Sequence, residues 1–558
     1  MSSKISLERL LPGSKEGVVG KIHVNEGDEL RLGDLIMEIE AKKGNFPVKS
    51  NLEGIIESIE VSEGDTVAIG DLLVNLSQAN NANSQPKVDQ DKEYQNLNAD
   101  IAILGGGPGG YVAAIKAAKM GAKVILVESN EVGGTCLNEG CIPTKSLVRS
   151  AQVFADIRNS KEYGIICDNP QIDMAKVIDR KDNIVENLVA GIKHLFDKNQ
   201  ITLVKGRGKL VNKNTLSVDN KISIKAKDII IATGSKITKP QIPGIDLDNV
   251  IYSDEALDLK KLPNKLLIIG AGIIGMEFAF IYANMGVDVT VVEYMDDILS
   301  SLDKDIIDEI TAAAKDAGIN LYSSSKVEEI IKDESDNIIV KISNNNKNKY
   351  ISADKVLVCV GRSPEYQDIG IDDLGIKINK DTKGIKVNDK MQTNIPNIYA
   401  IGDVTNIIQL AHLASAQGIV AAQNILGKDS TIDYRAVPSA IFTSPEIATV
   451  GLSEKDLADR LDEITIGKFP ISANGKAMTY GESRGFIKII KENKSGKILG
   501  ASIIGPNASD LIAEVTLAIQ NNLTADNIIN TIHAHPTTSE VIHEGALSVE
   551  GGAIHYAD

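Results

Sequence analysis

Residues 101–110 read IAILGGGPGG, and residues 266–275 read LLIIGAGIIG. Each is an apolar run that ends in the spacing Gly-x-Gly-x-x-Gly. The two lie 165 residues apart, and MGAKVILVE (120–128) recurs as MGVDVTVVE (285–293) at the same offset. A lone glycine triplet of this kind is weak evidence. Here each one follows an apolar strand, opens a predicted helix and is followed by an acid, Glu128 or Glu293, 18 residues past its third glycine. That full pattern predicts, twice over, a Rossmann strand–turn–helix–strand unit that binds a dinucleotide. Gly105 and Gly270 allow the tight turn, Gly107 and Gly272 let the backbone approach a pyrophosphate, and Gly110 and Gly275 let the helix pack closely. Glu128 and Glu293 are each placed to accept hydrogen bonds from a ribose diol. A carboxylate at 293 repels a 2′-phosphate, so the second unit favours NAD over NADP.

Working outward, 558 residues are too many for one core and predict roughly three to five domains. A net charge of −17 with no basic tract argues against nucleic acid or an anionic membrane as the main partner. Residues 266–286 are apolar enough to resemble a membrane span, but Gly270, Gly272, Gly275 and a mid-segment Glu277 favour a buried strand–turn–helix. The N-terminus has no apolar signal region. Four cysteines make no disulfide framework, so a reducing cytoplasm is expected.

A smaller repeat occupies residues 1–78. GVVGKIHVNEGDELRLGDLI (17–36) recurs as GIIESIEVSEGDTVAIGDLL (54–73), offset by 37. Each half alternates apolar and polar residues and carries a Gly-Asp turn, which predicts a two-fold all-β sandwich. Between the halves, EIEAKKGN (38–45) predicts a hairpin with lysines at its tip. Residues 79–97 are polar and aperiodic and predict a linker, with a root-mean-square span of roughly 25 Å.

GGTCLNEGCIPTK (133–145) holds two of the four cysteines, Cys136 and Cys141. A staple across so short a loop would constrain the unfolded chain by only about 2 kcal/mol. A metal clamp needs further ligands at suitable spacing, whereas Cys167 and Cys359 are isolated. A redox-active dithiol fits best, because a helix start after the first nucleotide unit favours thiolates. Flanked by two dinucleotide units, it points to electron transfer between a flavin and a nicotinamide. Thiol exchange needs a base. In HAHPTTSE (533–540), His535 has Glu540 five residues on, close enough to orient an imidazole and raise its basicity.

The twin glycine motifs, GGTCLNEGCIPTK, AIGDV (400–404) and HAHPTTSE together resemble the pyridine nucleotide–disulfide oxidoreductases over about residues 98–558. The HAHPTTSE form and Glu293 resemble members that oxidise dihydrolipoamide with NAD. Glutathione reductases usually carry arginines for NADPH, and mercuric reductases add a C-terminal cysteine pair absent here. The resemblance implies an α/β fold with FAD-binding (98–250), NAD-binding (251–370), central (371–436) and α+β dimerisation (437–558) domains. It implies that Cys136 meets substrate and Cys141 faces the flavin. Lys145, Thr135, Thr233, Gly234, Asp403 and Ala411 would contact FAD. Gly361 and Glu277 would lie on the NAD side, with Glu277 also the acidic partner of Lys145. His535 and Glu540 would reach into the other subunit of a homodimer. Glu139 stands where the family often has a small or apolar residue.

The sandwich of residues 1–78 resembles lipoyl carrier domains. Aligned on Glu40 and Gly54, the modified residue is Lys43, although the usual Glu-Thr-Asp-Lys-Ala reads Glu40-Ala41-Lys42-Lys43-Gly44 here. The expected cofactors are therefore FAD, NAD and a covalent lipoate. The expected partner is an acyltransferase core or lipoyl carrier protein of a multienzyme complex. Two other readings stay open: a reductase of a small disulfide, and a non-catalytic carrier or scaffold subunit.

Overall fold

The computed structural model describes residues 3–7, 16–30, 34–41, 44–50, 52, 54–77, 95–333, 338–345 and 347–557. Two compact units divide the chain, Met1–Lys92 and Glu93–Asp558.

The first unit is built from two four-stranded antiparallel sheets. The 37-residue repeat is visible in its atoms. The Asn25 amide donates to Asp28 at 2.8 Å, and the Ser62 amide donates to Asp65 at 2.8 Å. Between them, Gly27 and Gly64 take φ of 94° and 97°, a left-handed conformation that a Cβ would strain. The core repeats as well: Ile36, Met37 and Ile39 are fully buried, and so are Leu73, Val74 and Leu76. Strands Leu35–Ala41 and Gly44–Lys49 pair as far as Ala41 and Gly44. Lys42 and Lys43, the expected attachment tip, lie outside the described residues.

In the second unit each glycine motif forms the predicted strand–turn–helix. Strand Gln95–Leu104 leads to helix Pro108–Lys119 and strand Val124–Glu128. Strand Lys265–Ile269 leads to helix Ile273–Asn284 and strand Asp288–Val292. The two strands of the first glycine unit belong to a seven-stranded sheet and those of the second to a five-stranded one. Strands Lys265–Ile269 and Asp288–Val292 pair in parallel, and parallel strands covered on both faces are apolar nearly throughout. That accounts for the membrane-like hydropathy of 266–286, because helix Ile273–Asn284 buries every residue from Gly275 to Tyr282, Glu277 included. Among the described residues no helix is long and apolar enough to cross a membrane.

Strand Gln95–Leu104 begins three residues inside the stretch read as linker. Gln95 to Asn98 pair in parallel with Ile222 to Lys225, so backbone bonding extends the strand past its apolar part. Residues 79–94, the rest of that stretch, lie outside the described residues.

The C-terminal part is a five-stranded antiparallel sheet, Ser439–Ile441, Ile447–Gly451, Ile498–Ile504, Phe486–Glu492 and Ile464–Pro470 in spatial order. Helices Ala508–Gln520 and Glu540–Ser548 pack on it. At its junction with the second glycine unit, the fully buried Lys488 ammonium donates to Asp303 at 2.8 Å, Asp305 at 2.9 Å and Glu454 at 2.6 Å. A buried cation needs such partners to offset its desolvation.

Candidate active site

The two glycine turns open on one cleft of about 2040 Å³. The turns are atomically alike. Gly105 and Gly270 have φ of 106° and 101°. A Cβ on Gly110 would lie 1.9 Å from the Gly105 carbonyl, and one on Gly275 would lie 2.0 Å from the Gly270 carbonyl. Each third glycine therefore lets its helix start close against its own turn. A Cβ on Gly272 would meet nothing within 4 Å, so that backbone faces open space at a helix N-terminus, where a diphosphate is favoured. Both acids are held by backbone amides. Glu128 accepts from Gly106 at 2.6 Å and Asn130 at 2.8 Å, and Glu293 accepts from Ala271 at 2.6 Å and Met295 at 2.8 Å. Carboxylates fixed in this way keep lone pairs for a ribose diol.

The cysteine pair lies in the same cleft. Cys136 sits in the short helix Gly134–Asn138, and Cys141 is the first residue of helix Cys141–Arg158. Both are partly buried. The Cys136 thiol donates to Cys141, and this brings Cys141 down to about 7. Burial opposes the effect and the Lys145 ammonium adds to it. Cys136 moves the other way, because its hydrogen bond to Cys141 and its burial both hold its proton. The negative charge of the reduced pair therefore resides on Cys141.

Lys145 is one turn along the same helix. Its ammonium donates to both oxygens of Glu277, at 3.0 and 2.9 Å, and lies 4.4 Å from the centre of the Phe442 ring. Glu277 also accepts from the Phe442 amide at 2.9 Å. Glu277, expected on the NAD side, thus projects from the second glycine helix to hold a lysine of the first domain. Its buried charge is fully partnered, as burial demands.

Thr135, Thr233, Gly234, Asp403, Ala411 and Gly361 line the cleft too. Burial raises the Asp403 carboxyl, against a hydrogen bond from the Ser235 hydroxyl at 2.7 Å. Thr233 donates to the Glu365 carbonyl at 2.5 Å. Arg362 is a residue that sequence reasoning missed. Its guanidinium donates to the Ser235 hydroxyl at 2.9 Å, the Ser235 carbonyl at 2.7 Å and Thr135 at 3.3 Å. A fixed cation beside Thr135 fits a diphosphate. The only sequence signal was the neighbouring Gly361. Ser235 and Phe442 had none.

Cys359 lines the cleft at its second glycine turn, apart from the cysteine pair in sequence. It packs beside the second glycine turn, and burial pushes its thiol up.

His535 and Glu540 do not line the cleft. The His535 Nδ1 lies 2.9 Å from Glu540, whose other oxygen accepts from the Thr537 amide at 2.9 Å. Burial works to raise the Glu540 carboxyl, but the Thr537 amide and His535 outweigh it, and it sits below its ordinary value. The imidazole is 80% exposed, and among the described residues its Nε2 has no hydrogen-bond partner. The imidazole is thus oriented by Glu540 and stands outside the cleft of its own chain.

Residues 99–418 match the family described as Pyridine nucleotide-disulphide oxidoreductase, residues 437–546 match that family's dimerisation domain, and residues 10–76 match a biotin/lipoyl family described as Biotin-requiring enzyme. The chain therefore belongs to the pyridine nucleotide–disulfide oxidoreductases. It is a flavin- and NAD-dependent enzyme of that class, with a dimerisation domain and an N-terminal domain of lipoyl type. Among individual proteins, it is 43% identical to the dihydrolipoyl dehydrogenase of Chlamydia muridarum over 463 residues, covering 82% of this chain and 98% of that protein. The mitochondrial dihydrolipoyl dehydrogenase of Bos taurus is 40% identical over 472 residues, covering 82% and 92%. Among solved structures, the HOCl-induced flavoprotein disulfide reductase RclA of Escherichia coli superposes with a TM-score of 0.72 at 30% identity, covering 82% of this chain and all of that one. LpdA of Mycobacterium tuberculosis gives 0.75 at 25%, covering 81% and 99%.

Proposed function

We propose that this chain is a dihydrolipoyl dehydrogenase that carries its own lipoyl domain and oxidises protein-bound dihydrolipoamide with NAD. The observation that carries the reading is the cysteine pair, Cys136 and Cys141, set with Lys145 in the cleft that both glycine turns share. His535, oriented by Glu540, takes a proton from one thiol of dihydrolipoamide in the partner subunit's cleft. The resulting thiolate attacks Cys136 of the oxidised pair, and the Cys136–Cys141 bond breaks with Cys141 leaving as the thiolate. The second substrate sulfur then closes the lipoyl ring and expels Cys136; His535 hands the first proton to the departing Cys136 sulfur and takes up the proton of the second substrate thiol. The substrate has lost two electrons and the cysteine pair holds them.

FAD, when bound, supplies the two-electron acceptor between this dithiol and NAD. Arg362, Thr135, Thr233, Gly234, Asp403, Ala411 and the first glycine turn with Glu128 would hold it. The second turn with Glu293 and Gly361 would hold NAD. Lys43 would carry the lipoate. The partners would be an acyltransferase core or lipoyl carrier protein of a 2-oxoacid, acetoin or glycine-cleavage complex, in the cytoplasm, where a reducing milieu lets the dithiol cycle.

Cys136→Ser should abolish dihydrolipoamide:NAD activity, and a variant of normal rate would refute the reading. A second reading, reduction of a small disulfide, is the alternative to be excluded. Assays of NADH and NADPH with lipoamide and glutathione disulfide separate the two. A colourless, flavin-free protein would instead favour a scaffold. If Lys43 feeds this site, removing the first unit should slow turnover with the parent complex. The deletion should stop at residue 92, because strand Gln95–Leu104 begins just beyond.

A further inference from the structure

Gln417 is a polar side chain buried almost completely. It lies on helix Ala411–Ile425 with 1% exposure, and the other buried residues of that helix are all apolar or glycine. A primary amide in such surroundings costs free energy unless both its ends are hydrogen-bonded. Both are. The Gln417 Oε1 accepts from the Gly402 amide at 2.7 Å, and its Nε2 donates to the Tyr434 hydroxyl at 3.1 Å. Burial pushes the Tyr434 phenol up, with the Gln417 bond opposing it, so the far end of this strut stays a neutral hydroxyl.

The Gly402 amide needs this partner because the chain leaves its sheet there. Strand Ile398–Ala400 pairs in parallel with Ile229 to Ile231, and the Ile401 amide still donates to the Ile231 carbonyl at 3.0 Å. Gly402 comes next. It is buried, has φ of 70° and opens the turn Gly402–Thr405. A Cβ on it would lie 3.1 Å from the Ala414 Cβ, so the turn rests against the same helix that sends out Gln417. The Thr405 hydroxyl donates to the Gly402 carbonyl at 2.8 Å. Gly402 is thus held at both polar atoms by side chains that are each 1% exposed. Asp403 follows it and lines the cleft. The Asp403 carboxylate accepts from Ser235, which accepts in turn from Arg362. One bonded path therefore runs from Tyr434 through Gln417 and the turn to Asp403, Ser235 and Arg362.

We propose that Gln417 is a positioning residue for FAD: by holding the Gly402 amide it fixes the turn that presents Asp403 to the cleft. The inference rests on Asp403 being one of the residues that hold FAD. Neither Gln417 nor Tyr434 lines the cleft, so Gln417 acts through Asp403. Without its amide, the Gly402 N–H is buried with no acceptor. A turn in that state relaxes toward one, and the Asp403 carboxylate moves with it.

The test is the rate at which the full-length holoenzyme loses FAD on dilution, read as the rise of free-flavin fluorescence. Gln417→Leu should release FAD about tenfold faster, the scale of one lost hydrogen bond. Gln417→Glu should stay close to the parent, because a carboxylate accepts from both the Gly402 amide and the Tyr434 hydroxyl. Asp403→Ala should release FAD faster as well, and adding Gln417→Leu to it should change little more, since both act on one group. If Asp403→Ala keeps FAD as the parent does, Asp403 does not hold FAD and the inference falls with that reading. If Asp403→Ala releases FAD faster while Gln417→Leu matches the parent, the inference alone is overturned. It is overturned too if the two losses multiply in the double variant, or if Gln417→Glu behaves as Gln417→Leu, since the side chain would then serve only the fold. Should Gln417→Leu not fold, Tyr434→Phe gives the same readout. It strips the Gln417 Nε2 of its acceptor and should also quicken release, and an unchanged rate would overturn the inference.

Discussion

Cys141 holds its charge through neighbours that differ in kind: a thiol donating to it, a helix N-terminus beneath it and an ammonium one turn away. Lys145 is the one of these that a single substitution removes cleanly. Lys145→Met should raise the Cys141 titration from about 7 by about 1–2 units, read as thiolate absorbance of the reduced enzyme against pH. The sign follows from the charge: without the cation the thiolate is less stable, so Cys141 binds its proton to higher pH. Combining it with Glu277→Gln separates this shift from the instability of an unpaired buried carboxylate. At this scale the sequence was most informative where spacing carries meaning. The glycine triplets, Glu128, Glu293 and the cysteine pair each sit in a pattern that geometry requires. Arg362, Ser235 and Phe442 reach the site by folding from distant segments, and a single arginine or serine has no periodicity to betray it.

Among the elements, the junction at Lys488 has most to lose. Lys488→Met would leave Asp303 buried without its cation and should cost about 3–5 kcal/mol, seen as a lower unfolding midpoint. Burial works to raise the Asp305 carboxyl, but Lys468 and Lys488 overcome it, so its value lies below the ordinary 3.8. Burial also opposes the charge on Lys488, and its three carboxylates overcome that, raising it above 10.5. The depressed carboxyl adds stability that is complete above its ordinary value and is lost as pH falls through the folded value. The raised ammonium adds stability that is complete below 10.5 and is lost as pH rises through its own. The contribution of the junction should therefore be flat between those limits and fail beyond both, which unfolding midpoints across pH would trace. Strand Gln95–Leu104 shows what pattern reading misses at this scale. Its first residues, QNLN, lack an apolar alternation, and they are strand because Ile222 to Lys225 pair with them. That partner lies more than a hundred residues away, beyond any local window.

For the whole molecule, the dimerisation domain and the cleft imply a division of labour. His535 is exposed and away from the cleft of its own chain, so each site would combine the cysteines of one protomer with the histidine of the other. Coexpressing Cys136→Ser and His535→Gln chains tests this. Each homodimer is inactive, but a mixed dimer regains one complete site, so random pairing should restore about a quarter of full activity. No recovery in verified mixed dimers would mean that the histidine serves its own chain. The two-fold carrier domain was fully legible as a repeat, because both halves bury equivalent positions. The separation of His535 from its own cleft was expected only through the family resemblance, because no spacing along one chain records which copy completes a site.

The Lys145–Glu277 pair joins residues 132 positions apart, and only the carboxylate is buried. Over generations the dependence between the two codons therefore runs one way. Loss of the lysine strands a buried ion, whereas loss of the acid leaves a cation that solvent reaches, so descendants of this gene should change Glu277 before, or together with, Lys145.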